Sequence, residues 1–409
     1  MSENESISAA EKNFVKPRRV LIIVENLPVP FDRRVWAEAT ALVRHGYQVS
    51  VICPKGKNAE ASYEFLAGVH IYRHPMPLEA RGAKAYLVEY GSALFWEFLL
   101  SLKVFFTRGF DVLEACNPPD LLFPLGLFYK LFGKRFVFDH HDISPELYEG
   151  KFNRRGLFWK LLVLFEKLTF RTADFSIATN ESYRRLAIAR GAMAPERVFV
   201  VRNGPDLTRV TVQPAEPRWK NNRRVMVAYV GVIAQQEGLD LLLETVAYLV
   251  CQRGRTDIQF VIVGSGPDQQ SIVRLAQEAG LSDYVSFPGR VDDPTLLTIL
   301  STADLCVNPD RPNAMNDQST MIKIMEYMAL GKPIVQYDLT EGRFSAQQAA
   351  LYARKCDTAD FGDKILTILD EPALARRMGA FGLERVRTTL AWEHQEKKLL
   401  AAYEAIFTS

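Results

Sequence analysis

Apolar residues in this chain gather into short unbroken runs, and the segments between the runs carry a helical period. "RRVLIIVE" (18–25) is continuous, as expected of a strand buried on both faces. The loop "NLPVPFD" follows it, then a helical pattern from Arg33 to His45 that stops at Gly46, then the strand "YQVSVIC". Further strands are expected at 69–74, 110–116, 135–139, 175–179 and 198–202, with helical stretches between most of them. Strands separated by helices imply parallel sheets with right-handed crossovers. The segment "NGPDLTRVTVQPAEPRWKNNRR" (203–224) is polar, lacks a period and holds three prolines, which reads as a connection between domains. The alternation then restarts. Runs at 225–231, 258–264, 285–289, 303–308 and 333–338 read as strands, with helices at 239–251 and 269–279 and an amphipathic helix over 390–407. The expected fold class is α/β, with two similar domains and a cleft between them. Ligands of open parallel sheets bind beyond the carboxyl ends of the strands, which directs attention to the loops after residues 25, 139, 231, 264, 289 and 308.

At 409 residues the chain accommodates two domains of ordinary size. A net charge of +2 on a chain with 24% charged residues argues against wholesale nucleic-acid binding. The five cysteines (Cys53, Cys116, Cys251, Cys306 and Cys356) form no CxxC pair, which points to reduced residues and away from a disulfide framework or a zinc site. The opening "MSENESISAAEKNF" reads as disordered and lacks the basic and apolar regions of a signal peptide. Charges interrupt the most apolar stretches (93–106 and 157–170), so none reaches the run of about 18 residues needed to span a membrane.

Two glycine-containing turns follow strands. In "VGSGPD" (263–268), Gly264, Ser265 and Gly266 precede a helix, where free amides favour an anion. In "VGVIAQQEGLD" (230–240), Gly231 can admit a ligand against the backbone. Both turns also suit plain strand-to-helix connections. The stretch "NPDRPNAMNDQSTMIKIMEYMALGKPIVQYD" (308–338) carries more chemistry. Ser319, Lys323 and Glu326 recur at spacings of four and three, which places them on one helical stripe. Asp317 or Ser319 would cap the helix. Its amides, with Gln318, the Ser319 and Thr320 hydroxyls and Lys323, would hold a phosphate, and Glu326 a ribose. A Lys and a Glu among the apolar residues of "MIKIMEYMAL" require partners; an ordinary surface helix is the alternative.

"FVFDHHDISPE" (136–146) crowds Asp139, His140, His141 and Asp142 at a strand end, suited to proton transfer or to hydrogen bonding with sugar hydroxyls. Because the four are sequential and no third ligand cluster is evident, no metal site is expected. A structural His–Asp pair fits the same residues. "ENLPVPFDRRVW" (25–36) has no glycine and so is not a dinucleotide fingerprint. There Arg33 and Arg34 can meet a phosphorylated acceptor or pair with Asp32 or Glu38. "RRGLFWKLLVLFEKLTFR" (154–171) joins aromatics with cations at both ends and fits either a membrane interface or a core helix.

"FDHHDISPELY", "YVGVIAQQEGLDLLLE", "NDQSTMIKIMEYMALGKPIVQYDLTEGRFSA" and the closing Trp-containing helix together resemble the family-4 retaining glycosyltransferases of the GT-B fold, within their bacterial exopolysaccharide and lipopolysaccharide branch. The resemblance implies two Rossmann-like domains: 17–205 for the acceptor, with the helix 390–409 packing back on it, and 206–389 for a UDP- or GDP-sugar donor. It implies a metal-independent hexosyltransferase without cofactors, acting on a polyprenyl-diphosphate-linked saccharide at the inner face of the cell membrane. It places His141 near the reacting sugar, Glu326 on the ribose, and Arg290 and Val291 at the base; from the residues themselves, Asp142 and Lys323 join His141 as catalytic candidates, and His140, Arg33 and Arg34 are the acceptor candidates. Three family positions differ here. The first Glu of a Glu-x7-Glu pair is Gln318, and the usual Arg and Lys for the diphosphate are Val232 and Glu237. Lys323 and the amides around Ser319 and Thr320 are therefore expected to substitute. A GT-B sugar-nucleotide epimerase and a catalytically silent GT-B scaffold are the alternatives.

Overall fold

The computed structural model describes residues 17–75, 83–152 and 154–409, with no side-chain account of 83–90. The polar opening segment thus lies outside the described residues. The chain parts into two compact units, 1–115 with 128–135, and 116–127 with 136–409.

The first unit holds β1 (Arg19–Val24), α1 (Arg33–Arg44), β2 (Gln48–Pro54), β3 (Tyr63–Leu66), β4 (Val69–His74), α2 (Ala83–Thr107) and β5 (Val112–Cys116), with strand order β3-β4-β2-β1-β5. The apolar run of β1 is buried on both faces, as its composition requires. Asp32 caps α1 through a bond from the Val35 amide (3.0 Å), and Gly46 ends it at φ 84°. The strand β3 was not expected. It pairs antiparallel with β4 across a turn at Ala67 (φ 48°) and Gly68 (φ 83°). Two left-handed residues make the tight hairpin that matches strand twist, and an Ala in the first place hides it from a sequence reading.

After α3 (Phe123–Lys130), the second unit continues with β6 (Arg135–His140), α4 (Ser144–Phe152), α5 (Leu157–Thr172), β7 (Phe175–Ala178), α6 (Glu181–Ala189) and β8 (Val198–Val200). β6, β7 and β8 pair in parallel. Next come β9 (Val225–Val230), α7 (Leu239–Ala247), β10 (Ile258–Val263), α8 (Gln269–Glu278), β11 (Val285–Gly289), α9 (Asp293–Thr302), β12 (Leu305–Asn308), α10 (Ala314–Gln318), α11 (Ile322–Ala329) and β13 (Ile334–Tyr337). The unit closes with α12 (Thr340–Ala346), β14 (Ala350–Ala353), α13 (Thr358–Asp370), α14 (Pro372–Arg385) and α15 (Trp392–Thr408).

The second sheet has six parallel strands in the order β11-β10-β9-β12-β13-β14, covered on both faces by apolar clusters. Its order reverses between β9 and β12, so the loops after these two strands flank a topological switch point. Within this unit, α15 meets the segment after β8: the Arg202 amide bonds Gln395 (3.3 Å), and the Trp392 amide bonds Pro205 (3.1 Å). No described helix is long and apolar enough to cross a membrane.

Candidate functional site

Four loops of the second unit converge: residues 139–143 after β6, 180–183 at the start of α6, 231–238 after β9, and 309–323 after β12. α4 packs against α10 and against residues 235–237, and Met315 of α10 lies on the cluster of Phe138, Phe170 and Tyr183.

The glycines expected to admit a ligand serve the protein itself. A Cβ on Gly264, at φ 136°, would stand 1.8 Å from the Gly231 carbonyl, and one on Gly266 would stand 2.3 Å from that of Ile233. The Ile233 amide bonds the Ser265 carbonyl at 3.1 Å, so the two turns are laced backbone to backbone.

The helix expected to carry Ser319, Lys323 and Glu326 on one stripe is broken. Asn313 caps the five-residue α10 by accepting from the Asn316 amide (2.8 Å), and α11 starts anew at Ile322. The stripe is thus corrected: Ser319 lies in the break, so it shares no helix with Lys323 and Glu326, and neither Asp317 nor Ser319 is the cap. Asp317 accepts from the amide and hydroxyl of Thr340 (3.0 and 2.9 Å), and Gln318 bonds the Ala314 carbonyl of its own helix. Met321 precedes α11 with no side-chain oxygen to offer, which leaves the first-turn amides of α11 without a side-chain cap.

Residues 180–202 hold the break in place. Asn180 donates to the Gln318 carbonyl (2.8 Å) and to Thr320 Oγ1 (3.1 Å). Tyr183 meets Ser319 Oγ at 3.0 Å, and Ser319 in turn donates to the Met315 carbonyl. Arg202, buried, donates to Thr320 Oγ1 (3.2 Å) and to Glu341 (3.0 Å). Thr320 therefore accepts twice and keeps its own hydroxyl hydrogen to donate.

At the switch point Lys323 lies between two carboxylates, Glu237 after β9 (2.5 Å) and Asp310 after β12 (2.8 Å), and over the Tyr229 ring. Burial pulls its ammonium down, but the two carboxylates outweigh this and hold it above its usual range. Asp310, fully enclosed, is pushed up by burial, while Glu237 stays below its usual value because the Lys323 charge outweighs its desolvation. Glu237, where a Lys is usual, thus neutralises the Lys323 that was expected to stand in for it. Glu326 pairs with Arg209 (2.9 Å), which also pairs with Asp293 (3.1 Å).

At the end of β6, His141 Nε2 meets Asp139, and the two share a small donor set with the Cys116 thiol, all three ligand atoms lying within 4.8 Å of one another. The loop is clamped by Asn117. Its Oδ1 accepts from the amides of His141 (2.6 Å) and Asp142 (3.1 Å), and its Nδ2 donates to the Asp142 carbonyl (2.6 Å) and to Asp120 (2.9 Å). Asp120 is pushed up to about 7 by burial and by the nearby Glu166 charge.

His140 departs from expectation. It has no exposed surface, sits against Phe138, Phe170 and Tyr183, and lies 3.6 Å from Glu166, which Arg190 neutralises at 3.1 Å. A side chain so enclosed cannot touch an acceptor. Arg290 is exposed, whereas Val291 leans into the core. In the first unit Arg34 is buried and paired with Glu38 (3.0 Å), which rules it out as an acceptor contact, and Arg33 is exposed.

Sequence reasoning missed Asn117, Asn180, Tyr183, Arg202 and Arg209. Two left signals: "CNPPD" puts an amide directly after a strand, and "TNES" is a helix start, where Asn180 caps α6 through the Tyr183 amide (2.8 Å).

A profile described as "Glycosyl transferase 4-like domain" matches residues 32–204, and one described as "Glycosyl transferases group 1" matches residues 224–371. Mannosylfructose-phosphate synthase of Agrobacterium fabrum is 26% identical over 71% of this chain and 64% of its own length. The chain covers less than two thirds of the length of each of the first curated relatives it matches. Among solved structures, sucrose-phosphate synthase from Thermosynechococcus elongatus superposes with a TM-score of 0.78 at 19% identity, over 95% of this chain and 99% of that one. Anabaena HepE in complex with UDP-glucose gives 0.72 at 14% identity, over 95% and 99%. With both profiles matched in order along most of its length and the GT-B architecture in place, the chain belongs to the GT-B, family-4 type of glycosyltransferases.

Proposed function

We propose that this chain transfers a hexosyl group from a nucleotide-diphosphate sugar to a saccharide acceptor with retention of configuration. The observation that carries the reading is the uncapped start of α11 beside Thr320 at the switch point of the six-stranded sheet, an arrangement suited to a diphosphate. In this reading the α11 amides and the Thr320 hydroxyl, polarised by Arg202 behind it, stabilise the leaving diphosphate, so the step needs no metal. Lys323 acts through its neutral cluster with Glu237 and Asp310, adding little free charge. Glu326 holds the ribose, and Arg209 fixes its orientation. His141, oriented by Asp139, hydrogen-bonds the sugar being moved, and the backbone of Asp142 shares the Asn117 clamp. The complex of Anabaena HepE with UDP-glucose supports a nucleotide-sugar donor.

A lipid-linked acceptor in surface-polysaccharide synthesis, reached from the cytoplasmic side of the membrane, is the finer part of the proposal. The solved structure of WaaG, a glycosyltransferase of lipopolysaccharide biosynthesis, supports it with a TM-score of 0.70 at 14% identity. So does α5, where Leu157, Leu161 and Leu164 form an exposed stripe beside the exposed cations Arg154, Arg155 and Lys160.

Calorimetric titration with UDP and GDP tests the donor site. Binding of one nucleotide, weakened at least tenfold by Glu326→Ala, is the expected result. Binding of neither by the folded chain would sink this reading and promote the silent scaffold.

A further inference from the structure

The first unit carries a pocket that shares no residue with the candidate site. It is a concavity of about 400 Å³ lined by Tyr63 of β3, Tyr72 of β4, Lys103 and Thr107 of α2, and Arg108. Arg108 is spread over neutral acceptors: Nε donates to Tyr72 Oη (2.8 Å), Nη2 to Tyr63 Oη (3.3 Å), and Nη1 meets His70 Nε2 (3.0 Å). Since His70 Nε2 accepts there, its Nδ1 carries the ring proton and donates to Tyr63 Oη at 3.0 Å. Burial and the neighbouring Arg108 both hold this imidazole below its usual pKa, in keeping with a neutral ring.

The network leaves donors unused on the residues that line the pocket. Tyr63 and Tyr72 each accept and retain a hydroxyl hydrogen. Arg108 keeps two of its five hydrogens, and Lys103 keeps all three while standing 5.7 Å from the Tyr72 ring centre. Among the described residues neither cation has a carboxylate partner. Two uncompensated charges and several convergent donors form a site for an oxyanion. The Tyr63 ring, 45% exposed, adds a flat apolar face at the mouth.

We propose that this pocket binds a saccharide ring bearing a carboxylate or phosphate group, as a second sugar site on the enzyme. That the group is an oxyanion follows from the donor inventory alone; that it rides on a sugar rests on the glycosyltransferase reading.

The test is calorimetry on the full chain with glucuronate, glucose 6-phosphate, glucose and inorganic phosphate, alongside UDP and GDP. Glucuronate or glucose 6-phosphate is expected to bind where glucose does not, and the tighter of the two identifies the oxyanion. Lys103→Gln with Arg108→Gln, both at exposed positions, weakens that binding at least tenfold. Tyr63→Ala weakens the sugars more than phosphate, because phosphate loses one hydroxyl donor whereas the sugars lose the ring face as well, and nucleotide affinity does not change. Failure of both anionic sugars to bind, binding unchanged in the double variant, or phosphate binding as tightly as the sugars and indifferent to Tyr63 would each overturn the proposal. So would loss of binding to phosphatidylglycerol vesicles in the double variant of a chain that binds no sugar, since that marks a lipid headgroup site. Sugar binding that follows the variants in a chain that binds no nucleotide would instead sink the donor reading and leave this pocket standing.

Discussion

Replacing Lys323 by Met tests the charge cluster at the switch point. The ammonium contacts Glu237 at 2.5 Å and Asp310 at 2.8 Å, and it is the only cation within ion-pair distance of Asp310 among the described residues. Its removal strands two enclosed carboxylates beside each other. Breaking a buried ion pair by deleting one partner costs about 3–5 kcal/mol, a large share of a typical net stability of about 5–15 kcal/mol. Urea unfolding at pH 7 would read this as a lowered midpoint with an unchanged slope. The sign of the pH effect follows from the stranded acids. With the cation gone, their folded-state pKa values rise, and a raised carboxyl pKa favours the folded state at low pH. The gap between variant and wild type therefore narrows from pH 7 to pH 5. The triple variant Lys323→Met, Glu237→Gln, Asp310→Asn should regain most of the loss, because the three residues act as one unit. A cost below about 1 kcal/mol for the single substitution would refute the shared-charge argument. Nucleotide affinity separates the two roles of Lys323. Wild-type affinity in the triple variant means that Lys323 only balances the acids, whereas affinity still lowered at least tenfold makes it a direct donor contact.

Three further outcomes follow from the geometry. Asn117→Ala leaves the His141 and Asp142 amides, the Asp142 carbonyl and Asp120 without their partner; steady-state kinetics should show kcat falling at least tenfold with KM for the donor little changed, and urea unfolding a loss of about 2–5 kcal/mol. An equal change in KM would deny Asn117 its role in holding the His141 loop. Asp120, with its folded pKa pushed up to about 7 from the usual 3.8, contributes stability that is present below about pH 4 and lost as pH rises through 7, on the order of 4 kcal/mol in all; Asp120→Asn should flatten that part of the stability curve, and parallel curves for the two proteins would contradict it. Leu157→Ser with Leu161→Ser, both at exposed sites on α5, should reduce co-sedimentation with anionic vesicles severalfold without lowering the melting temperature, and undiminished sedimentation would remove α5 from the membrane reading.

Much of the architecture was legible because parallel strands buried on both faces must be continuous apolar runs, and those runs lie where β1, β6, β9 and β10 lie. β3 escaped because a four-residue edge strand behind an Ala-Gly turn has neither the length nor the turn residues that announce a hairpin. In the site, residue types were readable where a charge interrupts an apolar stretch. Lys323 and Glu326 needed partners, and they have them.

Sequence alone thus determined the alternation of strands and helices, the loops that follow the strands and the residue types available there, since these depend on spacing within one element. Tertiary structure decided what each of those residues does. It broke the helix ahead of Ser319, laced Gly264 against Gly231, buried His140 among rings, and brought Glu237 and Asp310 from two different strand ends onto Lys323. The physical reason is range. Periodicity reports neighbours one turn or two residues apart, whereas the charge on Lys323 is set by groups 86 and 13 positions away.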